Sequence, residues 1–117
     1  MDQELLKRRT KGFAIKILQL CRELPSSVEG HLVGKQLFRS ATSVGAKYRA
    51  ACRVRSKADF ITKLAIVLEE ADEALYWLEI LDEGQIVQSD LIAPLIQEAN
   101  ELVAIFVVSL STSKRKS

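Results

Sequence analysis

Phe60, Leu64, Val67, Ala71, Ala74, Leu78 and Leu81 recur at alternating spacings of four and three residues. An α-helix turns by about 100° per residue, so this spacing keeps one apolar seam on one side. A seam of that period is buried by other helices crossing at about 20°, the packing of left-handed bundles. Ile61, Leu68 and Leu75 form a second row beside it, and Ile66, Trp77 and Ile80 lie outside both rows. A helix apolar on several sides has to meet more than one neighbour.

Three further helices complete the pattern. The first is expected from Gln3 to about Leu24, with Leu6, Phe13, Ile17, Leu20 and Leu24 on one stripe. Its first turns carry Lys7, Arg8, Arg9 and Lys11, cations at the wrong end for the helix dipole, which read as a solvated, partly frayed start. Pro25 stops it, and Ser26-Ser27-Val28-Glu29 reads as a capping box opening a second helix that runs to about Arg53. Within it, Ser40 to Ala46 has no bulky side chain except Val44, so a neighbour can approach closely there. Ser56, with Asp59 in the box position, opens the third helix and Gly84 ends it. The fourth opens at Ser89-Asp90, tolerates Pro94 in its first turns, and continues to about Leu110. Short connections favour an antiparallel up-down-up-down four-helix bundle over residues 1–111, followed by a basic, disordered tail at 112–117.

Residues 102–108 are apolar all round, so one side of that segment would face water in a lone bundle. Burial against a second subunit resolves this. A homo-oligomer is therefore expected, with Trp77, Leu102, Ile105, Phe106 and Val108 at its interface. The apolar run is far shorter than the roughly 20 residues that span a bilayer, and the charged N-terminus has no signal-peptide core. A cytoplasmic protein without a membrane partner is expected. Cys21 and Cys52 read as buried free thiols.

The residues exclude most chemistry. His31 is the sole histidine, and no glutamate lies three residues before it, so the Glu-x-x-His pair of di-metal bundles is missing. Two distant cysteines and one histidine do not make a zinc site. No phosphate-binding glycine loop or nucleophile motif occurs. No catalytic residue, metal or cofactor is expected, and the chain is not read as an enzyme.

Charge is the informative feature. The net charge is only +2, yet residues 31–63 hold eight Lys/Arg against the single Asp59, and residues 64–110 hold ten Asp/Glu and no Lys or Arg. With Lys35 at zero on the helical wheel, Arg39 falls at about 40°, Arg49 at about 320° and Arg53 at about 0°. This cationic stripe on the second helix is roughly 27 Å long. Lys47 sits to one side, and Arg55 and Lys57 follow where the helix ends. These seven residues are the candidate nucleic-acid contacts. No base-reading motif accompanies them, so binding would go to the phosphate backbone and depend steeply on salt.

The segment from Gln36 to Leu81 carries a family resemblance. Arg39-Ser40-Ala41-Thr42-Ser43-Val44-Gly45-Ala46, then Phe60 and Lys63, Glu69-Glu70-Ala71 and Tyr76-Trp77-Leu78, resemble the signature of the four-helix-bundle family named for 23S rRNA intervening sequences. The likeness extends more loosely to Lys11-Gly12-Phe13-Ala14 and Leu24-Pro25. It implies a homopentamer. It also implies similarity to accessory proteins of diversity-generating retroelements, whose basic surfaces engage nucleic acid and a reverse transcriptase. Two positions depart from the family pattern. Lys47 stands where asparagine is usual, and Ala50 where many members have glutamate. Both make the second helix more positive.

Two functions are therefore expected. The first is a non-catalytic oligomer that binds RNA or DNA backbone through the basic stripe. The second is a protein-interaction scaffold whose basic and acidic stripes pair within the chain, between subunits or with a partner protein.

Overall fold

The structure, a computed structural model, describes residues 2–115. Among them are four helices and no strand: α1 (Gln3–Cys21), α2 (Val28–Arg53), α3 (Lys57–Glu83) and α4 (Ser89–Arg115). Each helix packs on the next, most closely α2 on α3, and α1 meets α4 more lightly. The connections are short, so the order is up-down-up-down in a rod of 47 × 20 × 19 Å. Leu64, Val67, Ala71, Ala74, Leu78 and Leu81 of the opening repeat are buried, while Phe60 is half-buried at its end. They meet Phe13 and Ile17 of α1, Leu37 and Val44 of α2, and Ile92, Leu102 and Phe106 of α4 in one continuous core.

Local signals account for the boundaries. Asp2 caps α1 by accepting from the Leu5 N–H at 2.7 Å, so the helix has a fixed start. Ser27 caps α2 through the Gly30 N–H at 3.0 Å. The third helical position is thus Gly30, and Glu29 does not close the expected capping box. Ser56 caps α3 through the Asp59 N–H. At the end of α3, Gly84 is right-handed and Gln85 takes the left-handed conformation at φ 58°. The Ile86 N–H reaches the Leu81 carbonyl and the Gln85 N–H the Asp82 carbonyl, which completes a Schellman motif. α1 ends three residues before Leu24. α4 continues to Arg115, so residues 112–115 are helical where a tail was expected; 116–117 lie outside the described residues.

The small-residue run does bring two helices together. Ser40, Ala41, Val44 and Gly45 are buried, and a Cβ added at Gly45 would lie 3.3 Å from the Thr10 hydroxyl of α1. Thr10 is itself fully buried and donates to the Leu6 carbonyl at 2.9 Å, one turn back.

Two of the expected interface residues are corrected. Leu102 and Phe106 are wholly buried within the chain, where Phe106 meets Tyr48 with ring centroids 5.6 Å apart. Together with Ile92, Leu95 and Ala99 they are the inward stripe of α4. A segment apolar all round still has an inside, and these two residues are on it. Trp77 and Ile105 are half-buried against the core, and Trp77 donates its indole N–H to Glu73 at 3.1 Å. Val108, with its neighbour Val107, remains outside. By length and composition α4 could cross a membrane. Its inward stripe is nonetheless part of the bundle core, and Glu98 and Glu101 on its flank hold Arg9 of α1.

Candidate nucleic-acid interface

The seven candidate cations all lie on the exterior, yet they do not act as one stripe. The middle of it is committed to the bundle. Arg39 of α2 donates to both carboxylate oxygens of Glu70 on α3, at 3.2 and 3.1 Å, and to Glu73 at 2.7 Å. Lys47 donates to Glu70 at 2.8 Å. Glu70 is 7% exposed, so an ionised carboxylate there needs these partners. Burial acts to raise its pKa, but the bonds from Arg39 and Lys47 outweigh that and hold the carboxyl below its usual range. The same bonds, Glu70 first and Glu73 second, push Arg39 further up. Lys47 therefore supplies a contact across α2 and α3.

α1 and α4 are joined in the same way. Arg9 grips Glu98 with two bonds of 2.8 Å and also holds Glu101. Glu101 is held low by hydrogen bonds from Gln97 and then Arg9. The basic start of α1 is thus partly structural and not simply solvated.

Lys35, Arg49, Arg53, Arg55 and Lys57 make no ion pair with any described residue. Lys35 belongs to the half of the bundle near the α1–α2 connection. The other four cluster where α2 ends and α3 begins. Antiparallel order brings the start of α1 and the end of α4 to that same end. Lys7, Arg8, Lys63, Lys114 and Arg115 join the cluster for this reason. Setting aside Arg9 and Lys47, the last two turns at this end carry nine Lys/Arg against Asp2, Glu4 and Asp59. Of these, Lys7 pairs with Glu4 at 3.1 Å. The opposite end carries Glu23, Glu29, Glu79, Asp82, Glu83 and Asp90 against Lys16 and Arg22. Charge segregated along the sequence has become charge segregated along the rod. Reading α2 alone missed the α1 and α4 members; up-down order was the signal that adds them.

Other chemistry is sparse. Among the described residues, no three His, Cys, Asp or Glu are grouped to hold a metal. Cys21 and Cys52 are free and half-buried; burial pushes the Cys21 thiol up, and its Sγ points to the Gly34 carbonyl at 3.6 Å. Burial, and then the Cys52 thiol, push the Tyr48 hydroxyl up as well.

Comparison with known proteins places the fold. No curated protein matches the chain. A crystal structure from Bacteroides thetaiotaomicron, described as a protein of unknown function from the S23 ribosomal protein family, is similar with a TM-score of 0.86. The two are 32% identical, over 95% of this chain and 99% of that one. The profile of the 23S rRNA-intervening sequence proteins matches residues 4–107. The chain belongs to the 23S rRNA-intervening sequence protein family.

Proposed function

We propose that this protein is a non-catalytic, homo-oligomeric bundle that binds the phosphate backbone of RNA or DNA through its cationic end. The observation that carries this reading is the clustering of Arg49, Arg53, Arg55 and Lys57 with no carboxylate partner among the described residues, beside the basic start of α1 and end of α4. Arginines at a helix end and in a turn present donors that match phosphate oxygens. The RNA of the family's name is one candidate polyanion. The accessory role beside a reverse transcriptase, implied by resemblance, would use the same surface. Oligomerisation, expected to be pentameric, would repeat weak contacts and raise avidity.

The test is a fluorescence-anisotropy titration with structured RNA and duplex DNA at two salt concentrations. Four phosphate contacts per subunit give a slope of about −3.6 for log K against log salt on duplex DNA. Arg53→Glu/Arg55→Glu should weaken binding and bring the slope toward about −1.8. If that variant binds as tightly and with the same slope, the placement is wrong.

A second reading, the interaction scaffold, is favoured by the pairing of Arg39 and Lys47 with Glu70, and of Arg9 with Glu98 and Glu101. Basic and acidic helices already pair within one chain. Between subunits the same pairing would make assembly salt-sensitive, and sedimentation at low and high salt measures it.

A further inference from the structure

At the end opposite the cationic cluster, the α1–α2 connection borders an open groove of about 750 Å³. Leu24, Val28, Leu32 and Phe38 give it an apolar wall, and Arg22 and Lys35 stand among its lining, with no Asp or Glu. Val28 is 75% and Leu32 57% exposed, so the described chain leaves this wall open to water. A cationic rim around apolar side chains fits a surface that is apolar and acidic. The chain carries such a surface on the outer side of α3. With Tyr76 at zero on the wheel, Ile80 falls at about 40°, Glu79 at about 300° and Glu83 at about 340°. The buried Leu78 and Leu81 lie on the other side of the helix. Tyr76 is 53% exposed, and Glu79 and Glu83 are exposed with no ion-pair partner among the described residues.

We propose that the α1–α2 groove of one copy receives the Tyr76–Glu83 face of α3 from a second copy. This deepens the assembly part of the proposed function and rests on it. Both patches lie toward the same end of the rod, because α2 begins where α3 ends. Two copies can therefore dock side by side with parallel long axes. The patches are different surfaces, so the contact is heterologous and closes into a ring if its rotation closes. In such a ring every cationic end points the same way, and none is covered by the contact.

The test measures solution mass and binding separately. Wild-type protein at tens of micromolar should sediment as an oligomer. Leu32→Asp in the groove and Tyr76→Asp on α3 should each return the mass to the 13.1 kDa monomer, with helical circular dichroism retained because both side chains are exposed. Arg22→Glu/Lys35→Glu and Glu79→Lys/Glu83→Lys should each weaken assembly by about 10-fold or more, and combining all four reversals should restore it. A monomeric wild type overturns both the assembly reading and this contact. An oligomer untouched by groove and α3 variants overturns the contact alone. An oligomer broken by groove variants but not by α3 variants means groove-to-groove pairing, which also overturns it. Anisotropy on Leu32→Asp and Tyr76→Asp reads the cationic end without avidity: neither substitution lies there, so affinity should fall with the loss of repeated contacts while binding stays salt-dependent.

Discussion

Glu70→Gln tests the claim that the middle of the basic stripe holds α2 to α3. The substitution keeps the size of a nearly buried side chain and removes its charge. Glu70 accepts two bonds from Arg39 and one from Lys47. Hydrogen bonds to charged groups contribute about 1.5–3 kcal/mol each when dry. Here both cations have side chains about half exposed, 48% and 46%, and recover water when released. That lowers the contribution to roughly 0.5–1 kcal/mol per cation. The glutamine amide also turns donors toward two cations, so the total cost is about 2 kcal/mol, or about 8 °C in Tm for a domain of this length. The assay is urea denaturation followed by circular dichroism, with Trp77 fluorescence as a local probe, since its indole bonds the Glu73 that Arg39 also holds. The pH dependence follows from sign. Glu70 is depressed in the folded state, so its contribution is full above the unfolded carboxylate value of about 4.3 and is lost as pH falls through the lower folded value. The difference between wild type and variant should therefore be full at neutral pH and close in acid. A variant within about 0.5 kcal/mol of wild type at neutral pH, or a gap that persists in acid, would refute the reasoning.

Other perturbations separate core, cap and backbone effects. Phe106→Ala should cost about 3–5 kcal/mol at any protein concentration, because Phe106 is buried within the chain; a loss that appears only on dilution would restore it to a subunit interface. Gly12→Ala should stabilise by about 0.5–1 kcal/mol in a thermal melt, since nothing lies within 4 Å of the added Cβ, whereas Gly30→Ala should destabilise because its Cβ would sit 2.6 Å from the Pro25 carbonyl oxygen. Gln85→Gly should stabilise by about 1 kcal/mol by relieving a left-handed backbone; an unchanged Tm would mean that glutamine carries no strain there.

Much of the fold was legible along the chain. The four-three repeat from Phe60 to Leu81 depends only on local helical geometry, and so does the Ser56 cap, whereas α1 ends at Cys21, before the expected stop at Pro25. Helix order and the close approach at Gly45 followed from short connections and small side chains. Cap details were less accessible: Ser26 and Ser27 are equivalent in sequence, and which one caps depends on how the chain leaves Pro25.

The charges and the α4 apolar segment were ambiguous because their partners are distant in sequence. Thirty-one residues separate Arg39 from Glu70, and 89 separate Arg9 from Glu98. A helical wheel shows that Arg39 and Arg53 share a side of α2, but not that one meets a buried carboxylate and the other does not. Likewise Leu102, Phe106 and Val108 are alike in hydropathy, and only the rotation of α4 about its axis puts the first two inside. The sequence by itself determined a four-helix bundle, its seams and its segregated charge, because these rest on local periodicity and composition. Tertiary structure decided which cations are spent on neighbouring helices and which gather at one end, because antiparallel packing joins the termini of four separate helices.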